Sequence, residues 1–96
     1  MFEANIAPIK SRLREAGVRR IGVFGSVGRG EANPDSDVDI LITFADNART
    51  FDNLYNVGEA LESVFQRRVD LVTEDALSPY IAPYIFREIQ YIDLDN

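Results

Sequence analysis

Two apolar runs, Ile21-Gly22-Val23-Phe24 and Ile40-Leu41-Ile42, are held apart by a Gly25-Ser26 dipeptide and by the acidic triplet Asp37-Val38-Asp39, with ten residues between Ser26 and Asp37. Runs of this length and composition predict strands, and the glycine-serine pair predicts a tight turn that opens a helix. In a strand, successive side chains alternate between faces. Asp37 and Asp39 are therefore expected on one side, roughly 7 Å apart along the strand. Two carboxylates so placed can grip divalent cations. The turn upstream offers backbone N–H groups and a hydroxyl at a helix N-terminus, where phosphate oxygens are favoured. One element suits phosphate and the other suits metal.

With those residues in view, the chain resembles the minimal nucleotidyltransferases of the DNA polymerase β superfamily, whose pattern is Gly-Ser, ten residues, then Asp-any-Asp, with a third acidic residue on a later strand. Arg68-Val69-Asp70-Leu71-Val72 matches that later strand and puts Asp70 in the required place. The resemblance runs from Ile21 to Val72. It implies a polymerase-β-like nucleotidyltransferase fold of the α/β (α+β) class, a small mixed sheet with helices packed on one side. It implies ATP as substrate and magnesium, two ions, held by Asp37, Asp39 and Asp70 as the catalytic and metal-binding residues, with Asp70 also helping to activate the acceptor hydroxyl. Nucleotide contacts are expected from Gly25, Ser26, Arg29 and Ser36. Gly25 would let the backbone approach the triphosphate, and Ser26 would bond a β- or γ-phosphate oxygen. Plainer roles stand beside these. Asp37 can cap a turn, Asp39 and Asp70 can be ordinary strand residues, and Ser26 can be a helix N-cap. Arg29 can pair with Glu31 or Asp35, and Ser36 can order the loop.

Composition narrows the chemistry. The 96 residues contain neither cysteine nor histidine, which excludes thiol chemistry, disulfides, His-based acid–base catalysis and zinc sites with sulfur or nitrogen ligands. Any metal must be held by oxygen, which favours magnesium or manganese. A net charge of −6 argues against direct nucleic-acid binding, which needs clustered Lys and Arg in excess. Arg12, Arg14, Arg19 and Arg20 form the one short basic cluster, read as a solvated face at the end of the first helix or as a phosphate contact. The length suits a single domain over residues 1–96. No apolar run is long enough to span a membrane and no signal-peptide pattern opens the chain, so a cytoplasmic location is expected.

Periodicity places the remaining elements. Ile6, Ile9, Leu13 and Ala16 recur at helical spacing, predicting one helix from Glu3 to Ala16 that stops at Gly17, with Pro8 tolerated near its start. A short helix is expected from Ser26 to about Glu31, then a turn at Asn33-Pro34-Asp35. The second strand begins near Asp37, an amphipathic helix runs from Asp52 to Phe65, and a third strand spans Val69 to Thr73. Beyond it, two prolines predict a turn and one short helix ending near Ile89. Tyr91 to Leu94 is left as a last strand or a tail.

Larger members of the superfamily carry a further domain that binds the acceptor, and the stretch after Val72 is too short for one, so the acceptor is expected from outside. Stand-alone proteins of this kind resemble the antitoxin half of two-protein systems whose other half is a helical HEPN ribonuclease toxin. That resemblance implies transfer of AMP from ATP to a tyrosine hydroxyl of the toxin, within a hetero-oligomer. Two alternatives remain open at this stage. One is a non-catalytic binding antitoxin that uses the aromatic segment Tyr80, Tyr84, Ile85, Phe86 and Tyr91 as its contact surface, unless those rings close the core instead. The other is nucleotidyl transfer to a small hydroxylated acceptor.

Overall fold

Pro8 divides the first helical segment in a computed structural model that describes residues 2–25 and 36–94. In place of the single helix expected from Glu3 to Ala16 there are α1 (Glu3–Ile6), a 3-10 turn (Ala7–Ile9) and α2 (Lys10–Glu15). A proline ring has no N–H to give and crowds the carbonyl one turn back, so the regular ladder breaks at it. The tighter turn restores the bonding, since the Lys10 N–H donates to the Ala7 carbonyl. The apolar stripe survives, with Ile6, Ile9, Leu13 and Ala16 all buried. The segment ends at Gly17, whose φ of +85° and close approach to the Ala48 side chain leave no room for a Cβ.

Four strands form one mixed sheet in the order β3-β2-β1-β4. Strand β1 (Val18–Phe24) is antiparallel to both β2 (Val38–Phe44) and the short edge strand β4 (Gln90–Asp93). Strands β2 and β3 (Val69–Thr73) run parallel, which requires a crossover. That crossover is α3 (Phe51–Phe65). Thr50 caps it by accepting from the Asn53 N–H at 3.2 Å, and Gln66 ends it in the left-handed conformation. The tail left open by the sequence is thus a strand, paired along β1 with Ile92 against Ile21.

The helices α1, α2 and α3 cover one face of the sheet. Ile6, Leu13, Val57 and Leu61 meet Ile21, Val23, Val38, Ile40 and Ile42 there in a single core. Alternation then assigns Gly22, Asp39, Leu41, Asp70 and Tyr91 to the other face. A Cβ at Gly22 would run into Ile89 and Tyr91, so the residues between α4 (Ala82–Glu88) and β4 lie against that second face. The C-terminal rings do not close the core, because Tyr80, Tyr84, Phe86 and Tyr91 are exposed. The short helix expected at Ser26 and the turn at Asn33-Pro34-Asp35 lie outside the described residues. Among the described residues no helix is long and apolar enough to cross a membrane.

Candidate active site

Parallel pairing of β2 with β3 sets Asp39 directly beside Asp70 in register. Register partners point to the same face, on strands about 4.8 Å apart. The two carboxylates thus share the face of the sheet that α1, α2 and α3 leave uncovered. Like charges in this position are destabilising unless something of opposite sign lies between them. An all-oxygen donor pair so arranged fits a hard divalent cation such as magnesium.

The turn after β1 bears on the same spot. Phe24 pairs with Asp39 across the antiparallel ladder, which delivers Gly25 to the Asp39 side chain. Gly25 has φ +73°, and a Cβ built on it would collide with the Asp39 carboxylate oxygen Oδ2 while standing 3.1 Å from Cγ. Two independent reasons therefore require glycine here. The left-handed conformation is costly for other residues, and the carboxylate fills the space a side chain would need. Gly25 and the acidic triplet, distant in sequence, meet through this contact.

Asp37 is placed differently from expectation. The ladder begins one residue later, where the Val38 N–H donates to the Arg68 carbonyl at 2.9 Å, so Asp37 is exposed and outside the strand. The pleat that fixes Asp39 does not fix Asp37. Among the described residues no three acidic, histidine or cysteine side chains are gathered closely enough to hold a metal ion. The structure brings together Asp39, Asp70 and Gly25, and it leaves Ser36 half-buried in the approach to Asp37. Ser26 and Arg29, the other two expected nucleotide contacts, lie outside the described residues.

The basic cluster also divides. Arg12 and Arg14 are on α2, whereas Arg19 and Arg20 are on β1 rather than on a helix face. Arg20 lies on the same sheet face as the carboxylates, its guanidinium 4.0 Å above the centre of the Tyr91 ring and 3.8 Å from Glu74. Sequence reading missed this stack, since only the register of Arg20 against Asp93 and Gly22 against Tyr91 reveals it. A cleft of about 230 Å³ lined by Ile42, Thr43, Phe44, Arg49, Thr73 and Asp75 opens at the opposite end of β2 and β3 from the aspartate pair. It holds an exposed ion pair, Arg49 to Asp75 at 3.1 Å. The Thr73 side chain, hydrogen-bonded to Asp75, holds that carboxyl below its ordinary value, and Arg49 adds to the effect. The cleft is remote from the carboxylate chemistry.

Comparison with known proteins agrees with this fold. The nucleotidyltransferase domain family model matches residues 6–92, and the chain belongs to that family. It is similar to the protein adenylyltransferase MntA of Thermococcus cleftensis, 44% identical over 92 residues, covering 95% of this chain and 92% of the relative. Among solved structures, a chain assigned as a minimal nucleotidyltransferase superposes with a TM-score of 0.77 at 38% identity, covering 91% of this chain and 88% of that one. The fold is shared as well with the complex of a tri-AMPylated HEPN toxin and its MNT antitoxin from Shewanella oneidensis, at a TM-score of 0.63 and 22% identity over 95% of this chain and 71% of the matched chain.

Proposed function

We propose that this single-domain chain is a magnesium-dependent protein adenylyltransferase that transfers AMP from ATP to a tyrosine hydroxyl of a helical HEPN-type toxin and so neutralises it. The observation that carries the reading is the convergence of Asp39, Asp70 and Gly25. The relative's name, adenylyltransferase, supports the reaction class, and the shared fold of the AMPylated toxin complex supports the kind of partner.

In this reading Asp39 and Asp70, joined by Asp37, would hold two magnesium ions. Bound magnesium would neutralise charge on the triphosphate and favour departure of pyrophosphate. Asp70 accepts the proton of the acceptor hydroxyl. The hydroxyl oxygen bonds the α-phosphorus, the bond from that phosphorus to the bridging oxygen of the β-phosphate breaks, and pyrophosphate leaves. Gly25, lacking a Cβ, leaves the Asp39 carboxylate its place, and the backbone N–H groups of the turn with the Ser26 hydroxyl bind phosphate oxygens, as helix N-termini do. Arg29 and Ser36 complete the nucleotide contacts. The net charge of −6 fits a protein acceptor better than direct contact with RNA.

The test uses the purified chain, ATP labelled in its α-phosphate, magnesium and a helical HEPN-type protein from the same source. Label should pass to the partner from the wild type and not from Asp39→Asn or Asp70→Asn, with both variants folded by circular dichroism. Undiminished transfer in both variants would remove the assigned site. Inhibition of the partner by a wild type that transfers nothing would instead identify a binding antitoxin.

A further inference from the structure

Helix α4 has two unlike faces. Ile85 and Glu88 are half-buried, and Ile89 just beyond the helix reaches over Gly22. Tyr84 and Arg87, three residues apart, align on the outward side of the helix, and Tyr80 sits in the preceding turn, which the Ala82 N–H closes onto the Ser78 carbonyl at 2.9 Å. Tyr80 is 87% exposed, Tyr84 65%, Ile81 51% and Phe86 46%. An aromatic side chain presents about 150–250 Å², so Tyr80 and Tyr84 leave roughly 300 Å² of aromatic surface in solvent on that side. That is at the low end of the largest apolar patch on a typical monomer and somewhat over a third of one partner's share in a standard interface.

The patch adjoins the aspartate pair. Gln90 is in register with Val23 and Phe24 with Asp39, so α4 enters β4 at the end of the sheet that carries Asp39 and Asp70. Two strand spacings, roughly 10 Å, separate β4 from β2. A macromolecule seated on the rings reaches the carboxylates across the same face and can bury the rest of a standard interface on the way. A second copy of this chain suits the patch poorly. Arg87 stacks toward Tyr84 at 5.7 Å, and a two-fold contact through this face would set that cation beside its own copy.

We propose that the outward face of α4, carried by Tyr84 with Tyr80 in the turn just before the helix, is the docking surface for the protein acceptor. It seats an apolar patch of that protein, acidic where it meets Arg87, and so brings the acceptor tyrosine to Asp39 and Asp70. The inference rests on the acceptor being a protein, as proposed above.

The test places a photo-crosslinking benzoylphenylalanine at Tyr84, or at the control Tyr55 on α3, in the full chain mixed with the HEPN partner. Cross-links should form from position 84 and not from 55. The variant Tyr80→Ser/Tyr84→Ser should bind that partner about thirtyfold more weakly or worse, the loss expected when ring anchors are removed, while keeping the thermal shift of the isolated chain with magnesium and ATP. Binding by the variant within about threefold of wild type, cross-links from 55 alone, or a dimer of the isolated chain that Tyr84→Ser dissolves would each overturn the proposal. The two readings fail separately. Asp39→Asn should dock with wild-type affinity, and docking at Tyr84 without AMP transfer would sink the transferase reading while leaving this surface standing.

Discussion

Gly17 and Gly25 offer a matched pair of alanine substitutions whose effects should cross. Both glycines are left-handed, with φ +85° and +73°, so alanine at either position carries a backbone cost of about 1–2 kcal/mol. The new methyl meets different neighbours. At Gly17 it strikes the Cβ of Ala48, an atom fixed to the backbone at a place where the Ala45 N–H also donates to the Gly17 carbonyl at 2.7 Å. Relieving that overlap requires main-chain movement, adding about 1–3 kcal/mol. At Gly25 the methyl strikes Asp39 Oδ2, the tip of a rotatable side chain that can swing aside at little cost in stability. An ordinary contact begins at 3.4 Å, so the carboxylate must move by about 1 Å, and a displacement of that size costs about 100-fold in rate when the group is part of the chemistry. Gly25→Ala should therefore lower the melting temperature by about 4–16 °C, at 4–8 °C per kcal/mol for a domain of this size, and lower AMP transfer about 100-fold. Gly17→Ala should be the less stable of the two and transfer normally once assayed well below its melting temperature. Urea unfolding and label transfer, run side by side, decide it. Transfer by Gly25→Ala within about threefold of wild type would show that Asp39 is not a group whose position the reaction depends on.

Two further outcomes are independent of the site. Leu61 on α3 is fully buried in the core, so Leu61→Ala should lower unfolding free energy by about 2–5 kcal/mol, measured by urea titration, whereas truncation of the exposed Tyr55 should change it little. The Asp75 carboxyl is held below its ordinary value by its hydrogen bond with Thr73 and by Arg49. A folded-state pKa below the unfolded one favours folding above the unfolded value of 3.8, and that contribution is lost as pH falls through the lowered folded value. Asp75→Asn should flatten the acid limb of the stability curve in that range and leave stability at neutral pH only slightly changed, because the pair is exposed and screened. An unchanged acid limb would refute the assignment.

Much of the fold was legible because local pattern and tertiary structure agree. The stretch from Phe44 to Val69 carries α3's apolar stripe, Val57, Ala60 and Leu61, so a helix between two strands follows from periodicity, whereas the parallel pairing that it permits does not. The misreading at Pro8 arose because the buried stripe Ile6, Ile9, Leu13 persists through the break. Side-chain periodicity does not register a change from α to 3-10 bonding within one turn. The C-terminal rings were undecidable for another reason. A helix of seven residues has too few turns for periodicity to separate an inward face from an outward one.

The site shows the same limit at finer scale. Gly17 and Gly25 look alike in sequence, each ending one element beside another, and both are left-handed in the fold. What distinguishes them is long-range. Antiparallel pairing of Phe24 with Asp39 and parallel pairing of Asp39 with Asp70 are both needed before Gly25 meets a carboxylate that has a second carboxylate beside it. Neither register can be read from spacing, because slipping either strand by one residue would keep every local propensity and turn one aspartate toward the core. The burial of Val38 and Ile40 on one side of Asp39, and of Val69 beside Asp70, is what forbids the slip. The apolar neighbours of the aspartates therefore act on the chemistry as well as on stability, since they hold Asp39 and Asp70 on the same face.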